Sequence, residues 1–116
     1  MQLQELTAVS PIDGRYRNKT AALSNYFSEY ALIRYRVLVE VRYLLALASD
    51  IPALNELKKH SDSIAAIAEN FSLADAEVIK ATEKITNHDV KAVEYFVKEK
   101  LERLGLSAYK DFAGYK

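Results

Sequence analysis

From Ser28 to Ser49 the chain carries neither glycine nor proline and is apolar on two sides. Val37, Val41, Leu44, Leu45 and Ala48 form one stripe at helical spacing; Leu32, Val39 and Leu47 form another. Val37, Val39 and Val41 alternate as a strand would, but a run of this length favours a helix. Its charge is confined to Glu29, Arg34, Arg36, Glu40 and Arg42. A helix apolar on more than one side is expected to lie between others. Three Gly and two Pro in the whole chain predict an all-α domain, an extended N-terminal segment followed by about five to six helices.

Residues 1–18 read as an extended lead-in and a turn. Pro11 biases Ser10 toward extended geometry, and Asp13-Gly14 supplies turn chemistry, with Gly14 able to take positive φ. A short helix is expected over 18–26. Asp50-Ile51-Pro52 ends the long helix, and two short helices follow over 53–59 and 61–69, with Ser61 as the N-cap of the second. Ser72 with Asp75 at N3 makes a capping-box pattern for a helix running to about Lys84. Ile85 and Thr86 are expected to break it, and a new helix starts near Asn87. Val90, Val93, Val97, Leu101 and Leu104 give that last helix, His88 to Leu104, one apolar face. Glu94 and Lys98 are spaced for an ion pair, and Gly105 is a natural stop. Residues 107–116 show little periodicity.

Sixteen basic and sixteen acidic residues cancel, so no global field favours nucleic acid or an anionic membrane. The absence of cysteine excludes disulfides, thiolate metal sites and a cysteine nucleophile. Apolar runs are interrupted before the ~20 residues a membrane span needs, and the chain start lacks a secretory pattern. A cytoplasmic protein is the expectation. With two His and no Cys no metal site is expected, and no Gly-rich phosphate loop is present.

Two short segments carry chemistry. Asn87-His88-Asp89 stands at a helix start, where unpaired N–H groups and partial positive charge receive anions. Asp89 competes for the same end, or accepts from a hydroxyl, or fixes a neighbouring side chain. On local pattern alone, ordinary helix initiation is the stronger explanation of these residues. Arg15 and Tyr16 leave the Asp13-Gly14 turn, and a guanidinium fork with a phenol suits phosphate or carboxylate. The alternative is an Arg paired with a nearby Glu and a Tyr covering the core. His60 reads as solvated, and Glu69, Asp75, Glu77 and Glu83 as exposed helix charges. The eight Tyr read as packing residues in the absence of a basic face.

Leu6-Thr7-Ala8-Val9-Ser10-Pro11-Ile12-Asp13-Gly14-Arg15-Tyr16 and Thr86-Asn87-His88-Asp89-Val90-Lys91-Ala92-Val93-Glu94-Tyr95-Phe96 resemble the N-terminal domain of the adenylosuccinate lyase family, within the fumarase/aspartase superfamily. Phe27-Ser28-Glu29-Tyr30 and the Arg-rich helix after it fit in the same order, so the resemblance runs from Met1 to about Phe112. It implies a helical homotetramer that needs no cofactor. The implied reaction is β-elimination: adenylosuccinate to AMP and fumarate, and the succinylated carboxamide ribotide SAICAR to AICAR and fumarate. It also implies substrate-binding roles for Arg15, Tyr16, Asn87, His88 and Asp89, with His88 a possible auxiliary to acid–base chemistry.

The family's Thr-His-Gly motif, with its acid–base histidine, and its Ser-Ser-x-Met-Pro-x-Lys loop, with the catalytic serine, do not occur in the sequence. Ala113-Gly114-Tyr115-Lys116 also departs from the family pattern. The resemblance therefore implies residues 1–116 as a truncated substrate-binding domain, without the central bundle and C-terminal domain. Such a chain is expected to be inactive, to bind AMP weakly or not at all, and to self-associate through uncovered apolar faces. A stand-alone helical nucleotide- or protein-interaction module is the alternative.

Overall fold

In the computed structural model, which describes residues 4–112, the long apolar run forms α3, Glu29–Asp50. Val37, Val41, Leu44 and Ala48 on one stripe are buried, whereas Val39 on the other is 62% exposed and Leu32 is exposed with it. The expectation of a helix covered on both apolar sides is thus corrected among the described residues. Before α3 lie two single-turn helices, α1 (Arg17–Thr20) and α2 (Ser24–Phe27), joined by a 3-10 turn over Ala21–Leu23. After it come a 3-10 turn at Pro52–Leu54 and the helices α4 (Asn55–Lys59), α5 (Ser61–Glu69), α6 (Leu73–Thr86) and α7 (Asp89–Arg103). A 3-10 segment, Ser107–Phe112, closes the described chain. No strand occurs among the described residues, as the composition predicts. Residues 113–116 lie outside the described residues, and the departure noted there has no structural counterpart to report.

The chain divides into two units, Met1–Leu32 and Ile33–Lys116. The first is held by local hydrogen bonds: in the stretch from Gln4 to Ser28, Gly14 alone is buried, while Leu6, Val9, Ile12 and Phe27 are exposed. In the second unit Leu54, Leu57, Ile64, Phe71, Ala76, Ile79, Val93, Phe96, Val97 and Leu101 are buried with the α3 stripe. Each large apolar side chain removed from water contributes roughly 1.5–3 kcal/mol. Phe71 and Phe96 meet edge to face at 5.6 Å, an arrangement the ring quadrupoles favour. α7 packs against α6, α5 and the closing 3-10 segment, which Lys110 also ties to Glu102 at 2.8 Å.

Several ends are set by local chemistry. Ser72 Oγ accepts from Asp75 N–H at 3.2 Å while an Asp75 carboxylate oxygen accepts from Ser72 N–H at 3.0 Å, a complete capping box. At the end of α7, Gly105 takes φ +78°, and the N–H groups of Gly105 and Leu106 reach the carbonyls of Glu102 and Leu101 at 3.1 and 2.9 Å. Those bonds make a Schellman motif, closed by the buried pair Leu101 and Leu106.

Four local expectations are corrected. Ser61 is the first residue of α5; His60 occupies the N-cap without a side-chain cap bond, and its ring Nδ1 lies 2.9 Å from the Glu56 carbonyl. Glu94 pairs with Lys91 at 3.3 Å, one turn back, rather than with Lys98. Leu104 is 36% exposed because it lies past the last full turn of α7. Ile85 and Thr86 do not break α6, which continues through both.

Candidate functional site

The first cluster is built by the Ser10–Tyr16 turn. The Asp13 carboxylate accepts from Ser10 N–H at 3.0 Å and from Ser10 Oγ at 3.3 Å. The Ser10 N–H is the main cause that holds the Asp13 carboxyl below its ordinary value of 3.8. Gly14 N–H reaches the Ser10 carbonyl at 3.0 Å, and Tyr16 N–H reaches the Pro11 carbonyl at 2.8 Å. Gly14 does not use positive φ, against the sequence expectation. A Cβ there would stand 2.8 Å from the Glu5 carbonyl oxygen and 3.2 Å from that of Ser10, so close backbone approach is what requires glycine.

This turn presents Arg15 and Tyr16 outward. Tyr16 is 44% exposed and does not cover a core, and the Arg15 guanidinium stands 5.6 Å from the Tyr16 ring centroid. Among the described residues Arg15 makes no ion pair. It borders two surface depressions of about 680 and 310 Å³, the larger also lined by Asp13, Gly14, Arg17 and Asn18. Neither side of the structural alternative, an Arg paired with Glu and a Tyr over the core, describes these two residues.

The second cluster is the junction of α6 and α7. Asn87 adopts φ 56°, ψ 31°, the left-handed conformation that ends α6, and donates its N–H to the Glu83 carbonyl at 2.7 Å. Asn tolerates that region better than other side-chain-bearing residues. One residue then remains before α7, so His88 becomes the N-cap in extended conformation. Its Nδ1 accepts from Lys91 N–H at 3.2 Å. A ring nitrogen that accepts carries no hydrogen, so the neutral ring bears its proton on Nε2. Thr86 Oγ1 braces the junction, accepting from His88 N–H at 3.3 Å and donating to the His88 carbonyl at 3.1 Å.

Asp89 Oδ1 accepts from Val90 N–H at 2.7 Å, and Oδ2 meets Arg36 Nη1 at 2.8 Å. The Val90 N–H first, and then the Arg36 charge, hold the Asp89 carboxyl below its ordinary 3.8. Of the roles open to Asp89 from sequence, fixing a neighbouring side chain is the one its geometry displays. Arg36 carries no sequence signal beyond being a charge on a helix. With Arg36 and the Val90 and Lys91 N–H groups already engaged, the exposed imidazole with Nε2–H and the Asn87 amide are the groups here that suit an anion with hydroxyl or amide neighbours. The described residues contain no group of His, Asp and Glu able to hold a metal ion and no helix long and apolar enough to cross a membrane.

No protein-family model matches the chain. Curated relatives do. The adenylosuccinate lyase of Dictyostelium discoideum is 52% identical over 105 residues, 87% of this chain and 22% of its own length. That of Vibrio cholerae is 53% identical over 107 residues, 87% of this chain and 23% of its own length. The Escherichia coli K12 protein of the same name is 52% identical over 108 residues, 90% of this chain and 24% of its own length. The chain thus spans under a quarter of the length of the relatives it matches.

Proposed function

Because the chain belongs to the adenylosuccinate lyase family, we propose that residues 1–116 form its N-terminal substrate-binding domain. The reaction is release of fumarate from adenylosuccinate to leave AMP, and from SAICAR to leave AICAR. It proceeds by β-elimination without metal or cofactor, in a cytoplasmic homotetramer. A base takes the proton beside a carboxylate, the carbon–nitrogen bond breaks, and an acid returns a proton to the departing nitrogen.

The observation that carries this reading is the pair of outward-facing donor sets, Arg15 with Tyr16 and Asn87 with His88. Arg15 offers a fork of N–H donors to phosphate or carboxylate, and the Tyr16 hydroxyl adds a further polar contact. His88 Nε2–H and the Asn87 amide address the substrate from the start of α7, where the backbone partial charge is positive. Asp89 shapes the start of α7 through the side chain it holds. His60 and His88 are the only imidazoles in the sequence, and among the described residues the ring contacts they make are to the Glu56 carbonyl and the Lys91 N–H. The chain therefore binds rather than cleaves, and purified alone it releases no fumarate above background.

A chimera tests the binding roles. The segment of the Escherichia coli K12 lyase matched by this chain is replaced by this chain's residues, and fumarate release is followed. Arg15→Ala and His88→Ala are each expected to lower kcat/KM by about ten- to a hundredfold, the loss of a charge-assisted hydrogen bond worth roughly 1.5–3 kcal/mol. A tetrameric chimera that cleaves equally well with both substitutions overturns the reading.

A further inference from the structure

We propose that the outward face of α6 is a pairing surface for a second copy of this chain, with the two α6 helices antiparallel. The inference is independent of the substrate reading and concerns a different part of the molecule.

α6 buries Ala76 and Ile79 on one side. The opposite side carries Ala74, Val78, Ala81 and Ile85, all exposed, Val78 by 53% and Ile85 by 86%. Their spacing of four, three and four residues is that of a two-helix seam. It sets them one above another along about 16 Å of the helix. Val78 and Ile85 leave water only when another surface covers them.

The charges beside that stripe select the occupant. Glu77 and Lys84 lie seven residues apart on the same flank, both exposed. The neighbouring charges Lys80 and Glu83 take each other at 3.3 Å. Neither Glu77 nor Lys84 makes an ion pair among the described residues. In an antiparallel pair, equivalent flanks face each other and run in opposite directions. Glu77 of each copy then meets Lys84 of the other, and the two-fold axis makes both contacts at once. A parallel pair sets that flank against the opposite one, where Glu77 meets Thr82 and finds no cation. The antiparallel register also puts Ala74 against Ile85 and Val78 against Ala81, a small side chain opposite a β-branched one in each layer. One helix thus carries both halves of its own complement, which is what a second copy supplies. Four side chains bury well under the ~800 Å² per partner of a stable interface, so the pair is weak and reversible.

The test uses the 116-residue chain carrying Val39→Lys, in which association through the exposed face of α3 is suppressed. Amide chemical shifts are followed on dilution from millimolar protein. Shifts are expected at Ala74, Val78, Ala81 and Ile85, and their course gives a dissociation constant. Glu77→Lys and Lys84→Glu each replace two attractions by two repulsions and are expected to raise that constant by roughly tenfold. Combining them restores both contacts with the signs exchanged, and the double variant should return to the starting value. Ile85→Lys is expected to abolish the concentration dependence. All three positions are exposed, and a dispersed spectrum reports that each variant is folded. Stripe amides that ignore dilution overturn the proposal. A double variant that stays as weak as the single ones also overturns it, because the stripe then meets a partner in another orientation or of another kind.

Discussion

Arg36 Nη1 lies 2.8 Å from Asp89 Oδ2, joining the middle of α3 to the first residue of α7. Both side chains are close to half exposed, 40% and 45%, so solvent screens the pair and its value as a stabilising contact is small. Its consequence is geometric: with the Val90 N–H it occupies both oxygens of the Asp89 carboxylate at the start of α7.

The pair makes stability depend on acid in a defined direction. Val90 N–H and Arg36 lower the folded-state carboxyl of Asp89 below 3.8, so its contribution is present above the unfolded value and lost as pH falls through the lower folded one. The Tm difference between the parent chain and Asp89→Asn is expected to stay constant from about pH 7 to about pH 5 and to shrink once pH drops below about 4. A difference that grows on acidification would contradict the assignment.

Asn87 is held at φ 56° between two helices. Asn87→Gly keeps that conformation accessible and should change unfolding free energy little. Asn87→Ala places a Cβ in a region that costs roughly 1–2 kcal/mol, and urea denaturation should show a loss of about 1 kcal/mol. Equal stability of the two variants would mean that the junction is free to relax.

Gly14→Ala sets a methyl group 2.8 Å from the Glu5 carbonyl oxygen and 3.0 Å from the Ala8 Cβ. Both neighbours are backbone or Cβ, with no flexible tip to move aside, so the turn must open at a cost of roughly 1–3 kcal/mol. In the chimeric lyase this substitution is expected to raise KM by displacing Arg15. An unchanged KM in a tetrameric chimera would contradict it.

Tyr35 and Val39 leave an apolar face of α3 exposed, Val39 by 62%. Exposed apolar surface of this kind favours association. Light scattering is expected to show an apparent mass that rises with concentration and falls back toward that of one chain in Val39→Lys. A concentration-independent mass of one chain for the parent protein would refute it.

The local signals were legible because their physics spans one turn. Ser72 with Asp75, and Gly105 after Leu101, satisfy helix-end groups from residues three or four positions away, and both appear as the spacing predicts. The same reasoning misjudged the start of α7. Thr86 and Asn87 are better N-cap residues than His88 by propensity, yet α6 runs on through Thr86 and spends Asn87 on its own left-handed end, leaving the cap to histidine. At Gly14 the turn was legible, but its reason was not: the crowding comes from the Glu5 carbonyl rather than from backbone dihedrals.

By itself the sequence determined that the chain is helical, where its strongest caps fall, and that Arg15 and Tyr16 leave a turn while Asn87, His88 and Asp89 stand near a helix start. These follow from periodicity and from contacts within a few residues. Only the tertiary structure decided which apolar stripe of α3 is buried, because both stripes have helical spacing and burial depends on what packs against them. It also decided that Asp89 is partnered by Arg36, since an ion pair between distant positions leaves no trace in local pattern. That partnership, with the Val90 N–H, occupies the Asp89 carboxylate at the start of α7.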